Sequence, residues 1–245
     1  MKLIPYLCCG DPDREFTIGL IRTLAPYSHM IELGIPFSDP VCDGKTIQDA
    51  STRALKNGAS INTAFSIAKS ARGMSRLIFM TYYNLVHHFG ARSFLRKAAK
   101  SGVEAVIIPD LPFGEDREFE AVAEEEGIKV ICMIAPNTGL SRARLMLRQP
   151  APFSYLVSAS GTTGARGRVA GESISFIRRV RALAGYRELF VGFGISSREQ
   201  ADKYVAAGAD GVVIGSRIID IYGKSMSQGR GVALEKVERF AKSFK

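Results

Sequence analysis

Three carboxylates stand close together in IELGIPFSDPVCDGK, residues 31–45: Glu32, Asp39 and Asp43. Glu32 follows the apolar pair Met30–Ile31. A carboxylate withdrawn from water is costly unless it is paired or neutralised. Burial raises its pKa toward neutrality, where one group can both give and take a proton. Glu32 fits that acid–base role, and position alone also fits one half of a structural ion pair. Asp43, between Cys42 and Gly44, rides a segment flexible enough to aim it over a pocket. Asp39 precedes Pro40, a turn-forming pair, and reads as a side chain that bonds its own backbone. Asp110, before Leu111–Pro112, reads as a brace for its loop.

A second signal is suited to binding an anion. VGFGISS (191–197) and VVIGSR (212–217) place Gly192, Gly194, Gly215 and Ser216 directly after apolar runs. Glycine lets the backbone come close to phosphate oxygens, and the start of a following helix offers free N–H groups. SASGTTGARGRVAG (158–171) is long and rich in Gly and Thr, the composition of a lid. It lacks the Lys–Ser/Thr pair of a nucleotide-binding phosphate loop.

These groups need elements to hold them. Short apolar runs recur at 2–7, 29–34, 76–83, 105–110, 129–135, 153–158, 188–194 and 211–216. Nearly unbroken apolar runs are what strands buried on both faces require. Amphipathic stretches such as REFTIGLIRTLAPY and SREQADKYVAAG lie between them. Strand–helix alternation over 245 residues predicts an α/β fold, a (β/α)8 TIM barrel forming one domain over 1–245. An open doubly wound sheet is the alternative, but no G-x-G-x-x-G closes the first run. In a barrel, chemistry sits at the C-terminal ends of the strands, where Glu32 and the glycine loops fall.

The bulk properties narrow the function class. Apolar residues make up 46% of the chain and charged ones 23%, an ordinary folded composition. The net charge of +9 raises the question of nucleic acid, but the basic residues are scattered and no aromatic side chains interleave with them. No apolar run is long enough to span a membrane. The start, MKLIPYLCCGDP, turns too early for a signal peptide, so a cytoplasmic location is expected. Cys8, Cys9, Cys42 and Cys132 form no C-x-x-C pair, and His29, His87 and His88 lack ligand spacing, so neither disulfides nor a metal site is expected.

IELGIPFSDP-x-x-DG, together with IPDLPF, SGTTG, VGFGIS and GVVIGS, resembles the tryptophan synthase alpha chain family over nearly the whole sequence. The resemblance implies a lyase that splits indole-3-glycerol phosphate into indole and glyceraldehyde 3-phosphate in tryptophan biosynthesis. It implies Glu32 and Asp43 as the catalytic carboxylates, with Tyr155 and Thr163 in support. It further implies Gly164, Phe193, Gly194, Gly215 and Ser216 around the phosphate, and Tyr6, Tyr82 and Ile107 lining the indole pocket. No cofactor is expected in this chain. The expected partner is a beta chain carrying pyridoxal phosphate, in an alpha-beta-beta-alpha heterotetramer. Cys42 and Lys45 depart from the family's usual Ala and Pro on either side of Asp43–Gly44. Another phosphosugar barrel is disfavoured because a carboxylate, not a lysine, ends the second strand.

Overall fold

A computed structural model describes residues 1–158 and 171–245 in full, and the backbone of 166–170. Its sheet contains nine strands: β1 (Lys2–Cys8), β2 (Ile31–Gly34), β3 (Leu77–Met80), β4 (Val103–Ile107), β5 (Lys129–Val130), β6 (Met133–Ile134), β7 (Ser154–Val157), β8 (Leu189–Gly192) and β9 (Gly211–Ile214). Their order is β5-β4-β3-β2-β1-β9-β8-β7-β6, and every pairing is parallel.

The two ends of that order are halves of one chain segment. Among the described residues, Lys129–Val130 pairs only with β4, and Met133–Ile134 only with β7. Between them, the Ile131 amide donates to Val106 O (2.9 Å) and the Tyr155 amide donates to Cys132 O (3.1 Å). The fifth stave therefore closes the barrel by switching neighbours midway. The sequence predicts one continuous strand over 129–135; it divides because its two ends bond to different sides. The other staves match the predicted runs but are shorter. Predicted strand residues Tyr82 and Tyr83 instead begin a helix, Tyr83–Phe89. The last residues of the expected loop 158–171 belong instead to the helix Arg166–Ala184.

Alternation along the strands sorts the side chains. On β2, Glu32 and Gly34 share the face toward the barrel interior, while Ile31 and Leu33 face the helices. All four are buried, as expected for a sheet covered by helices outside and packed within. The helices begin where local chemistry starts them. Asp13, Asp116 and Ser197 accept from the amides three residues on, capping the helices Arg14–Leu24, Arg117–Glu125 and Arg198–Ala206. Several others start on glycine with no side-chain cap, among them Lys45–Lys56 after Gly44 and Ser216–Ser225 after Gly215. Their first amides stay free of side-chain acceptors. Among the described residues, no helix is long and apolar enough to cross a membrane.

Candidate active site

A cleft of about 520 Å³ opens at the C-terminal ends of the strands. Tyr6, Glu32, Met80, Tyr155 and Val213 reach it from five different strands, and residues 41–47, 193–195 and 215–216 wall its rim. The helices Lys45–Lys56 and Ser216–Ser225, neither with a side-chain cap, both begin at this cleft.

Glu32 sits deep in it, 3% exposed and in register between Tyr6 of β1 and Ile78 of β3. Its Oε2 has no hydrogen-bond partner among the described residues. Burial, and secondarily the negative charge of Asp43, pushes its pKa up to about 8. Among the described residues no cation pairs with Glu32, which speaks against the structural ion pair left open by the sequence, and its burial favours the protonated form. Burial also raises Asp43, to about 6, opposed by a hydrogen bond from the Tyr82 hydroxyl. Near neutral pH one carboxyl therefore holds its proton and the other is ionised. Two neighbouring acids pushed apart in this way divide the roles of proton donor and anion.

The Asp43 loop is held from two sides. The Tyr82 hydroxyl accepts from the Cys42 amide (3.3 Å) and donates to the Asp43 carboxylate, while Phe37 stacks on the Tyr82 ring with centroids 5.2 Å apart. Gln48 Nε2 donates to Asp43 O at 2.8 Å. Tyr82→Phe should therefore raise the Asp43 pKa and loosen the loop, lowering kcat/KM by roughly 5- to 30-fold, the equivalent of about 1–2 kcal/mol for one lost bond to a charged group. An unchanged acid limb in the pH profile would show that this hydroxyl does not act on Asp43.

Tyr155 lies in the barrel interior with its ring edge-on to Phe193 at 5.9 Å. A Cβ on Gly192 would collide with its hydroxyl, and a Cβ on Gly215 would press on the Tyr6 ring. These two glycines thus clear room for the tyrosines as well as shaping their loops. Phe193 adopts φ +69°, followed by Gly194 at +71°. A left-handed phenylalanine costs about 1–2 kcal/mol, so the surroundings must hold it there. Ser158 Oγ donates to Phe193 O (2.5 Å), and Gln200 Nε2 donates to Gly194 O (3.2 Å).

Of the residues singled out in the sequence, Glu32, Asp43, Tyr6, Tyr155, Phe193, Gly194, Gly215 and Ser216 meet at this cleft. Ile107 is buried at the end of β4, and neither it nor Tyr82 belongs to the cleft lining among the described residues. Thr163 and Gly164 lie outside the described residues. Asp110 accepts from the Tyr83 amide (2.9 Å), bracing the neighbouring helix start as read. Exposed Asp39 pairs with the adjacent Ser38 hydroxyl. Lys45 is exposed and forms an ion pair with Asp49, one helical turn on. Met80, Val213, Gln48 and Ser158 were not apparent from the sequence. Met80 and Val213 read only as strand residues, and the bonds of Gln48 and Ser158 end on backbone carbonyls that carry no residue-type signal.

The family model for the tryptophan synthase alpha chain matches residues 1–245. The tryptophan synthase alpha chain of Pyrococcus furiosus is 42% identical over 239 residues, covering 97% of this chain and 96% of that protein. That of Thermococcus kodakarensis is 44% identical over 226 residues, covering 91% and 90%. A solved chain from the a2b2 tryptophan synthase complex of Pyrococcus furiosus superposes with a TM-score of 0.90 at 41% identity, covering 99% of this chain and 97% of that one.

Proposed function

Because this chain belongs to the tryptophan synthase alpha chain family, we propose that it cleaves indole-3-glycerol phosphate to indole and glyceraldehyde 3-phosphate, with Glu32 as the proton shuttle and Asp43 as the anion that steadies the ring. The observation that carries the division of roles is the opposite ionisation of the two carboxyls in one cleft, about 8 for Glu32 against about 6 for Asp43.

Cleavage of the bond between indole C3 and the glycerol chain needs somewhere for its electron pair to go. Protonated Glu32 gives its proton to C3, which turns the ring into an indolenine with positive charge at nitrogen. Ionised Asp43 accepts the ring N–H and stabilises that charge. Glu32, now a carboxylate, takes the proton of the hydroxyl on the carbon next to the ring. That oxygen's electrons form the aldehyde C=O, the C–C bond breaks, and its pair restores the aromatic ring. Glu32 ends as it began, and the scheme calls for no metal or organic cofactor. Tyr155, raised well above the ordinary phenol range by burial first and by the Glu32 and Asp43 charges after it, remains a neutral hydroxyl beside the shuttle.

The phosphate belongs at the other end of the cleft, where the helix Ser216–Ser225 starts without a side-chain cap. Its free amides, the Ser216 hydroxyl and the backbone of Phe193–Gly194 suit a dianion. Tyr6, Met80 and Val213 supply apolar walls for a flat ring between the two ends. The beta chain is the proposed partner, carrying pyridoxal phosphate and consuming the apolar indole as it leaves the mouth. Incubating the purified chain with indole-3-glycerol phosphate, alone and with a beta chain, should release indole and glyceraldehyde 3-phosphate in equal amounts. No indole under either condition would overturn the assignment.

A further inference from the structure

The loop that follows β1 contains an ion pair, buried at its carboxylate and partly exposed at its guanidinium, for which the reaction scheme has no use. Asp11 is fully buried. Its carboxylate accepts both arms of the Arg53 guanidinium, Nε to Oδ1 at 2.9 Å and Nη2 to Oδ2 at 2.7 Å. The Tyr222 hydroxyl donates to the same Oδ2 at 2.5 Å. Arg53 stands on the helix Lys45–Lys56 and Tyr222 on the helix Ser216–Ser225. These are the two helices whose open ends meet the cleft, one directly after Asp43 and the other at Gly215–Ser216.

Stability alone explains the cluster poorly. Withdrawing the Asp11 carboxylate from water is costly, and apolar packing of similar volume holds helices together as well or better. A guanidinium fork on a carboxylate, with a third bond from a phenol, supplies direction as well as attraction. The anchor is itself fixed. Asn57 Nδ2 donates to Pro12 O (2.8 Å), the Gly10 amide donates to Thr17 Oγ1 (3.1 Å), and Phe16 packs edge-on to Tyr222 with centroids 5.5 Å apart.

Resting on the lyase reading above, we infer that Asp11, Arg53 and Tyr222 are positioning residues that set the spacing between Asp43 and the phosphate-binding helix start. A substrate gripped at ring and phosphate together gains from the second contact being intramolecular, provided the two grips are the right distance apart. With the strut loosened, each grip still works alone but the two no longer act on one molecule in reacting geometry.

The test uses the full chain in complex with a beta chain and compares Tyr222→Phe, Arg53→Lys and Asp11→Asn with the unmodified protein. Tyr222→Phe keeps the ring and the ion pair and removes one hydroxyl. Arg53→Lys keeps the charge and removes the fork. Each should lower kcat/KM for indole-3-glycerol phosphate about tenfold or more, since misplacement by about 1 Å costs up to about 100-fold. Inorganic phosphate and indole, which occupy one end each, should inhibit at the same concentrations as in the unmodified protein, and the limbs of the pH profile should not move. Values of kcat/KM within twofold of the unmodified protein for both Tyr222→Phe and Arg53→Lys would overturn the inference, even with a lower melting temperature, which would assign the cluster to stability alone. Equal weakening of the single-end probes and the substrate would also overturn it. An unmodified protein that releases no indole overturns the lyase reading, and this inference with it.

Discussion

Glu32→Gln is expected to reduce turnover of indole-3-glycerol phosphate by about 1,000-fold or more while making the protein more resistant to heat. The loss follows from the scheme, in which one carboxyl gives a proton to C3 and then takes one from the hydroxyl. The amide is nearly the same shape but does neither, and general acid–base catalysis alone contributes about 10²–10⁴-fold. The stability gain follows from the same burial. Glu32 ionises at about 8 in the folded chain, against 4.5 for the free side chain. Below about pH 4.5 both states hold the proton and the group is neutral to stability. As the pH rises from there toward about 8, the unfolded chain ionises while the folded chain keeps its proton, so folding loses ground; above about 8 the penalty is constant. Glutamine carries no such penalty. The variant should gain on the order of 1–3 kcal/mol near pH 8, raising the melting temperature by several degrees, and almost nothing near pH 4.5. Thermal unfolding at those two pH values, alongside turnover, checks both halves. A gain that is the same at both pH values, or turnover within tenfold of the unmodified enzyme, would falsify the assignment of Glu32 as a buried proton shuttle.

Asp43→Asn is expected to cost about 100-fold or more in kcat and to change the shape of the pH profile. The active form holds Asp43 ionised and Glu32 protonated, so kcat/KM should rise through about 6 and fall through about 8, with a maximum between. The two limbs belong to the pair rather than to either residue alone. Asparagine has no charge to lose, so the acid limb should vanish. The alkaline limb should move to lower pH, because the Asp43 charge is one of the two causes that raise Glu32. Inhibition by inorganic phosphate should stay unchanged, since that end of the cleft is built from β8, β9 and the helix Ser216–Ser225. An alkaline limb that stays in place would separate the two carboxylates and remove the basis for their coupled roles.

The same residues show how far the sequence carries. The parallel α/β class follows from eight apolar runs separated by amphipathic stretches, because strands buried on both faces read as nearly unbroken apolar runs, and the missing G-x-G-x-x-G favours the barrel over an open sheet. The split of the fifth stave was not legible. KVICMIA is apolar throughout, and only the choice of neighbour, β4 for Lys129–Val130 and β7 for Met133–Ile134, divides it. Glu32 and Asp43 stood out by residue type and by their place at a strand end. Tyr82 was read as a pocket wall, yet its hydroxyl reaches the Cys42 amide 40 residues back and acts on the Asp43 loop. Asp11 carries no signal of its own in the sequence, because its tie to Tyr222 spans 211 positions.

The sequence by itself determined which groups are available and in what order: a carboxylate ending the second strand, another in a bendable loop, and glycines after the last two staves. Those are local matters of residue type, apolar patterning and turn chemistry. Only the tertiary structure decided that the two carboxylates ionise differently. Glu32 is buried between β1 and β3, with one oxygen lacking a partner among the described residues, while Asp43 receives the Tyr82 hydroxyl at the rim. Desolvation and hydrogen bonding depend on what chain closure brings close, and that difference favours the protonated form of one group and the ionised form of the other near neutral pH.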